Sequence, residues 1–169
     1  MSGYENFGRC VVCRSKYNLQ NYRGEFEITM LINSLYLTVM HCIETKKIRQ
    51  NSADKVVQWL RENNIISDGG NEFRNMKILR NLRNGLAHFN LKVPDPPKKD
   101  IDTIKIWVRP WSKADKAYQK FNDGEIENAI CVFTFSANQL KSFTKYVIDL
   151  VLESLDDKVC RDCKYREEA

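Results

Sequence analysis

Apolar residues recur at helical spacing through the first half of the chain and then change period. Residues from about Tyr4 to Asn18 predict a short first helix. Gly24 precedes EFEITMLINSLYLTVMHCIE, which is apolar at nearly every turn and too long for a strand, so a second helix buried on most sides is expected. Its few polar positions, Glu27, Ser34, Thr38 and His41, fall into one narrow stripe. Asn51 or Ser52 is placed to cap a third helix over SADKVVQWLRENN. The DGG after Ser67 then turns the chain into a fourth helix, roughly Asn71 to Asn90. The prolines of VPDPP, Val93 to Pro97, end the helical portion.

Beyond them the period becomes two. Ile104, Ile106 and Val108 alternate with Thr103, Lys105 and Trp107, and NAICVFTF reads as a second strand. The segment between them contains Asp123-Gly124, so an antiparallel hairpin with a long irregular tip is the simplest arrangement. Helix resumes at SANQLKSFTKYVIDLVLESLDD, where Ser136 and Gln139 stand in capping-box spacing and Leu140, Phe143, Val147, Leu150 and Val151 share one face. The expected fold is mainly α: a four- to five-helix bundle with a small antiparallel β-hairpin inserted before the last helix. It is expected as one domain over 1–169, with a helical part at about 4–92, the hairpin at about 101–135 and the last helix at about 136–158.

Composition narrows this picture only a little. At 169 residues and 43% hydrophobic the chain is long enough to bury a core, and no run reaches the roughly 18 apolar residues of a membrane span. MSGYENFGRCVVC lacks the pattern of a secretory signal, so a cytoplasmic location without membrane contact is expected. A net charge of +5 tilts the chain mildly toward a polyanionic partner.

The candidate chemistry lies on the fourth helix. Winding LRNLRNGLAHFN at about 100° per residue puts Ile78, Leu79, Leu82, Leu86 and Phe89 on the core side. Arg80, Arg83, Asn84, Ala87 and His88 fall opposite. A histidine exchanges protons near cellular pH, and a guanidinium stays charged and offers phosphate a planar fork, so the set suits phosphodiester cleavage. The plainer reading is a solvated helix face, and Arg-x-x-x-x-His spacing alone does not decide between them.

RNGLAH, Arg83 to His88, resembles the Arg-x(4–6)-His signature of the HEPN superfamily, including the Asn directly after the Arg, near the end of a helix. FEITMLINSLY, Phe26 to Tyr36, resembles the second-helix segment of a plasmid-encoded HEPN nuclease subfamily. The resemblance implies a helical domain that dimerises and brings two Arg/His pairs together to cleave RNA without a metal, in toxin–antitoxin systems or antiviral defence. It also implies RNA as substrate, a homodimer, and an antitoxin or other regulatory protein as a further partner. Arg83, His88 and Asn84 are then the catalytic set, with Arg80 and Glu27 in support. The simpler role for Glu27 is to complement the dipole at its helix start. His41, with no arginine in register, reads as a structural histidine. The second helix is apolar enough all round to suggest burial by a second subunit, and Ala87 is small enough to admit a partner helix. A non-catalytic HEPN domain that binds a nucleotide, RNA or a regulatory partner is the first alternative.

Two further features stand outside that resemblance. Cys10 with Cys13 and Cys160 with Cys163 form two Cys-x-x-Cys units that meet if the first and last helices run antiparallel. A structural zinc, unligated thiols and a redox clasp are all open, and a zinc-stapled interaction module is the second alternative. No cofactor is expected for catalysis. Cys42 and Cys131 read as core residues. In the hairpin tip, Arg109, Lys113, Lys116 and Lys120 interleave with Trp111, Tyr118 and Phe121. That mixture suits single-stranded RNA, although covering the bundle is the simpler role.

Overall fold

In the computed structural model the helical periodicity resolves into α1 (Gly3–Asn21), α2 (Glu27–Glu44), α3 (Gln50–Glu62), α4 (Asn75–Ala87) and α5 (Ala137–Ser154). The structure describes residues 3–21, 27–44, 50–67, 72–88, 90–92, 103–108 and 129–154. Among the described residues there are also four strands, β1 (Ile66–Ser67), β2 (Leu91–Lys92), β3 (Ile104–Val108) and β4 (Cys131–Phe135). The fold is mainly helical with a small antiparallel sheet, as the pattern predicts. Among the described residues, no helix is long and apolar enough to cross a membrane. The chain divides into two compact units, Met1–Val56 with Ala137–Ala169, and Val57–Ser136, the division falling within α3.

In the first unit α1, α2 and α5 pack against one another pairwise. The predicted face of α5 is the buried one: Leu140, Phe143, Val147, Leu150 and Val151 are all in the core, as are Val12 of α1 and Leu31, Leu35 and Val39 of α2. Ser34 and Thr38, the middle of the polar stripe on α2, are buried too. The Thr38 hydroxyl donates to the Ser34 carbonyl at 2.7 Å, and Thr144 on α5 donates to the Leu140 carbonyl at the same distance. Such back-bonding satisfies a hydroxyl within its own helix and leaves it compatible with an apolar core. Ser136 immediately precedes α5, at the position a capping residue takes.

The second unit opens on the later part of α3, from Val57. Asn64 takes a left-handed conformation, φ 55°. Around it the Ile65 amide donates to the Leu60 carbonyl at 2.9 Å and the Asn64 amide to the Arg61 carbonyl at 3.0 Å. These are the two bonds of a Schellman cap, and Leu60 and Ile65, which hold the positions of its usual apolar contact, are both fully buried. The chain leaves this cap directly into β1.

The expected hairpin is present, with Ile104 opposite Phe135, Ile106 opposite Phe133 and Val108 opposite Cys131. It is however the centre of a four-stranded sheet in the order β1-β4-β3-β2, antiparallel throughout. Ile66 pairs with Phe133, and Leu91 and Lys92 pair with Ile106 and Lys105. Residues 91 and 92 are therefore strand, where the sequence pattern predicts a helical portion extending to about residue 92. Two residues are too few to display an alternation, so both edge strands are invisible to periodicity. Short edges also offer little unpaired backbone to other chains. Trp107, on the face of β3 opposite Ile106, is only 7% exposed, so both faces of the strand are covered there.

Candidate active site on the fourth helix

α4 is shorter than the expected Asn71–Asn90, running Asn75–Ala87. Arg74 precedes it in an extended conformation (φ −61°, ψ 147°) and contributes no side-chain cap, while its carbonyl accepts from the Lys77 and Ile78 amides at 2.8 and 3.1 Å. The expected core side is buried at Ile78, Leu79, Leu82 and Leu86. Asn81 and Gly85 join them. For Gly85 the reason is the way α4 crosses β3. A Cβ on Gly85 would lie 2.6 Å from Ile106 Cγ2 and 3.0 Å from the Trp107 carbonyl oxygen. Only a residue without a side chain lets helix and strand backbones approach this closely.

That contact fixes the path of the chain beyond the helix. The Asn90 amide donates to the Gly85 carbonyl at 2.9 Å, and the Trp107 amide donates to the Asn90 carbonyl at 3.2 Å, after which Leu91 enters the sheet as β2. His88 stands between these anchors as the C-cap of α4 (φ −94°, ψ 7°), its amide donating to the Asn84 carbonyl at 3.0 Å. The backbone that carries the imidazole is thus tied to the helix on one side and to β3 on the other.

On the outer side, Arg80 and His88 are exposed, and Arg83, Asn84 and Ala87 are half-buried. The structure therefore brings four of the predicted site residues, Arg80, Arg83, Asn84 and His88, onto one face. Arg83 and His88 are separated by about 7.5 Å along the axis and about 140° around it, and so flank that face. Arg83 Nε is buried without a hydrogen-bond partner among the described residues. An enclosed, unpaired donor of this kind costs about 1–3 kcal/mol, and Asn81 Nδ2 and Trp107 Nε1 share the condition among the described residues.

The inner side carries a polar pair that helical projection alone does not single out. Cys131 is fully buried, and burial pushes its thiol from the ordinary 9.0 up to about 11, with the neighbouring Asn81 amide opposing the shift. Asn81 itself is 5% exposed, and its Nδ2 makes no hydrogen bond of standard geometry. Cys131 is a core residue, as its apolar surroundings predict. The signal for Asn81 is present in the same helical projection, where it falls beside Ile78 and Gly85.

Several expected site residues lie outside the described residues. These are Arg109, Trp111, Lys113, Lys116, Tyr118 and Lys120 of the hairpin tip, Cys160 and Cys163, and the side chains of Glu27, His41 and Cys10. Cys13 is buried. Among the described residues no three His, Cys, Asp or Glu side chains gather where a metal ion would fit.

A mainly helical domain whose fourth helix ends in Arg-Asn-x-x-x-His, with these polar residues on its outer face, has the form of a HEPN domain. The family model described as HEPN pEK499 p136 matches residues 1–158, and the chain belongs to this HEPN family. No curated protein and no solved structure matches it.

Proposed function

We infer that this chain is a metal-independent endoribonuclease whose composite active site uses Arg83 and His88 from two copies. The observation that carries the reading is the outer face of α4, where an exposed imidazole is anchored at both backbone ends beside a half-buried guanidinium whose Nε–H has no partner among the described residues. Family membership supports it, and so does Leu37 on α2, a large apolar side chain 44% exposed and available to a second subunit.

In this reaction the RNA 2′-oxygen attacks the adjacent phosphorus, and the bond from phosphorus to the 5′-oxygen breaks. One His88 takes the 2′-hydroxyl proton, and its counterpart in the second copy returns a proton to the departing 5′-oxygen. Arg83 neutralises charge on the pentacoordinate phosphorus through the outer end of its guanidinium. Asn84 orients the phosphate or the imidazole, and Arg80 adds a phosphate contact. The products carry 2′,3′-cyclic phosphate and 5′-hydroxyl ends. Such an activity suits a toxin or an antiviral effector restrained by a partner protein. A zinc ion at Cys10, Cys13, Cys160 and Cys163 would be structural, outside the reaction.

The test is incubation with structured and single-stranded RNA in excess chelator, with analysis of the ends. Cyclic-phosphate products that disappear in both Arg83→Ala and His88→Ala support the assignment. Cleavage that persists in His88→Ala removes that residue from the mechanism, and a monomer at micromolar concentration in light scattering removes the composite site.

A further inference from the structure

Within the first unit, α1 and α5 border a shallow, open groove lined by Lys16, Leu19, Gln20, Lys141, Lys145 and Ile148. The floor is apolar, with Ile148 fully buried beneath it. The rim is cationic. Lys16 pairs with Asp149 at 3.2 Å, which offsets one charge of each sign. Lys141 and Lys145 form an exposed pair one helical turn apart on α5.

We propose that this groove is a secondary anchor for an RNA strand, in which Lys141 and Lys145 contact successive phosphates, Lys16 and Gln20 flank them, and Leu19 and Ile148 underlie the sugars. The proposal rests on RNA being the substrate. The spacing of the two lysines is comparable with the step between successive phosphates of an unstacked strand. The groove holds no aromatic side chain for base stacking among the described residues, so its contacts are to the backbone and independent of sequence. The chain's net charge of +5 favours the same polyanion. An anchor of this kind raises the residence of long RNA on the protein without taking part in bond cleavage.

The probe is a labelled single-stranded 2′-O-methyl RNA, which lacks the attacking hydroxyl and stays intact whether or not the protein is a nuclease. Binding is measured by fluorescence anisotropy over a salt series with the wild type and with Lys141→Gln/Lys145→Gln, whose exposed positions leave the fold intact by circular dichroism. Removing two phosphate contacts is expected to lower the slope of log affinity against log salt by about 1.4, and the affinity by about tenfold near physiological salt. An unchanged slope and affinity overturn the anchor. Lys55→Gln, which removes an exposed charge outside the groove, should leave the slope unchanged. An equal loss per charge there shows that only net charge matters, and also overturns the anchor. Loss of polyglutamate binding with RNA binding intact assigns the groove to an acidic protein surface instead. The active-site reading fails separately, in the cleavage assay of His88→Ala, which this binding measurement does not require.

Discussion

Two helices of this protein carry a polar stripe, and they treat it in opposite ways. On α2, Ser34 and Thr38 are buried, and the threonine hydroxyl is spent on the Ser34 carbonyl 2.7 Å away in the same helix. On α4, Arg80 and His88 face outward, and Arg83 keeps an N–H without a partner among the described residues. Both stripes have helical spacing, and both lie among apolar residues. What separates them is whether each polar group is answered locally. A short hydroxyl reaches its own backbone and falls silent, whereas a guanidinium, with five donors, exceeds what one turn of its own helix can answer. Polarity that a helix cannot satisfy by itself is left for a ligand, a partner or water.

The largest effect that sharpens this contrast belongs to the outer face of α4. His88→Ala is expected to reduce RNA cleavage by about 10²- to 10⁴-fold while the urea midpoint stays within error of wild type, because an exposed side chain contributes little to stability. A large fall in the midpoint would move His88 into the silent class.

Next comes the interior of the same unit. Cys131 has a thiol raised from 9.0 to about 11 by burial, so its proton is held more tightly in the folded state. A raised value stabilises the fold fully below pH 9, and that contribution is lost as the pH rises through 11. Between those limits the wild type is expected to lose about 2–3 kcal/mol more than Cys131→Val in urea titrations. Equal pH dependence of the two proteins would show that the site is not closed to water.

A smaller effect tests the close approach that holds α4 on the sheet. Gly85→Ala gains helix propensity of about 1 kcal/mol, but its methyl meets the immobile Trp107 carbonyl as well as Ile106. A net destabilisation of about 1–3 kcal/mol is expected from denaturant melts. Cleavage is expected to fall with it, since the backbone after Gly85 carries His88. A stabilised Gly85→Ala would mean that α4 shifts freely on β3.

The smallest effect lies on α2. Thr38→Val deletes a hydroxyl bonded within its own helix, so stability should change by less than about 1 kcal/mol in either direction, with cleavage unchanged. A loss of activity there would break the contrast between the two stripes.

The legible part of this architecture is the part set by local repetition. The buried face of α5 and the strand at Ile104–Val108 coincide with their patterns, and α4 appears where its period places it, trimmed at both ends. Its outward set of Arg80, Arg83, Asn84 and His88 is readable because helical geometry alone assigns residues to sides. The edge strands at Ile66–Ser67 and Leu91–Lys92 are not, because each exists only through the partner it pairs with. Asn81 is hidden for a related reason. A polar residue on a core face is informative only once its neighbour, Cys131, is known.

Amino-acid order by itself determined the helices, the central strand pair and the display of a proton carrier and a fixed cation on one face of α4, since each depends on residues a few positions apart. Tertiary structure alone decided that Gly85 must lack a side chain, that His88 is held between α4 and β3, and that the Arg83 Nε–H is enclosed without a partner among the described residues. Those properties come from backbone and side-chain atoms that are distant along the chain and meet only when the sheet forms against the helix, and no local period encodes such a meeting.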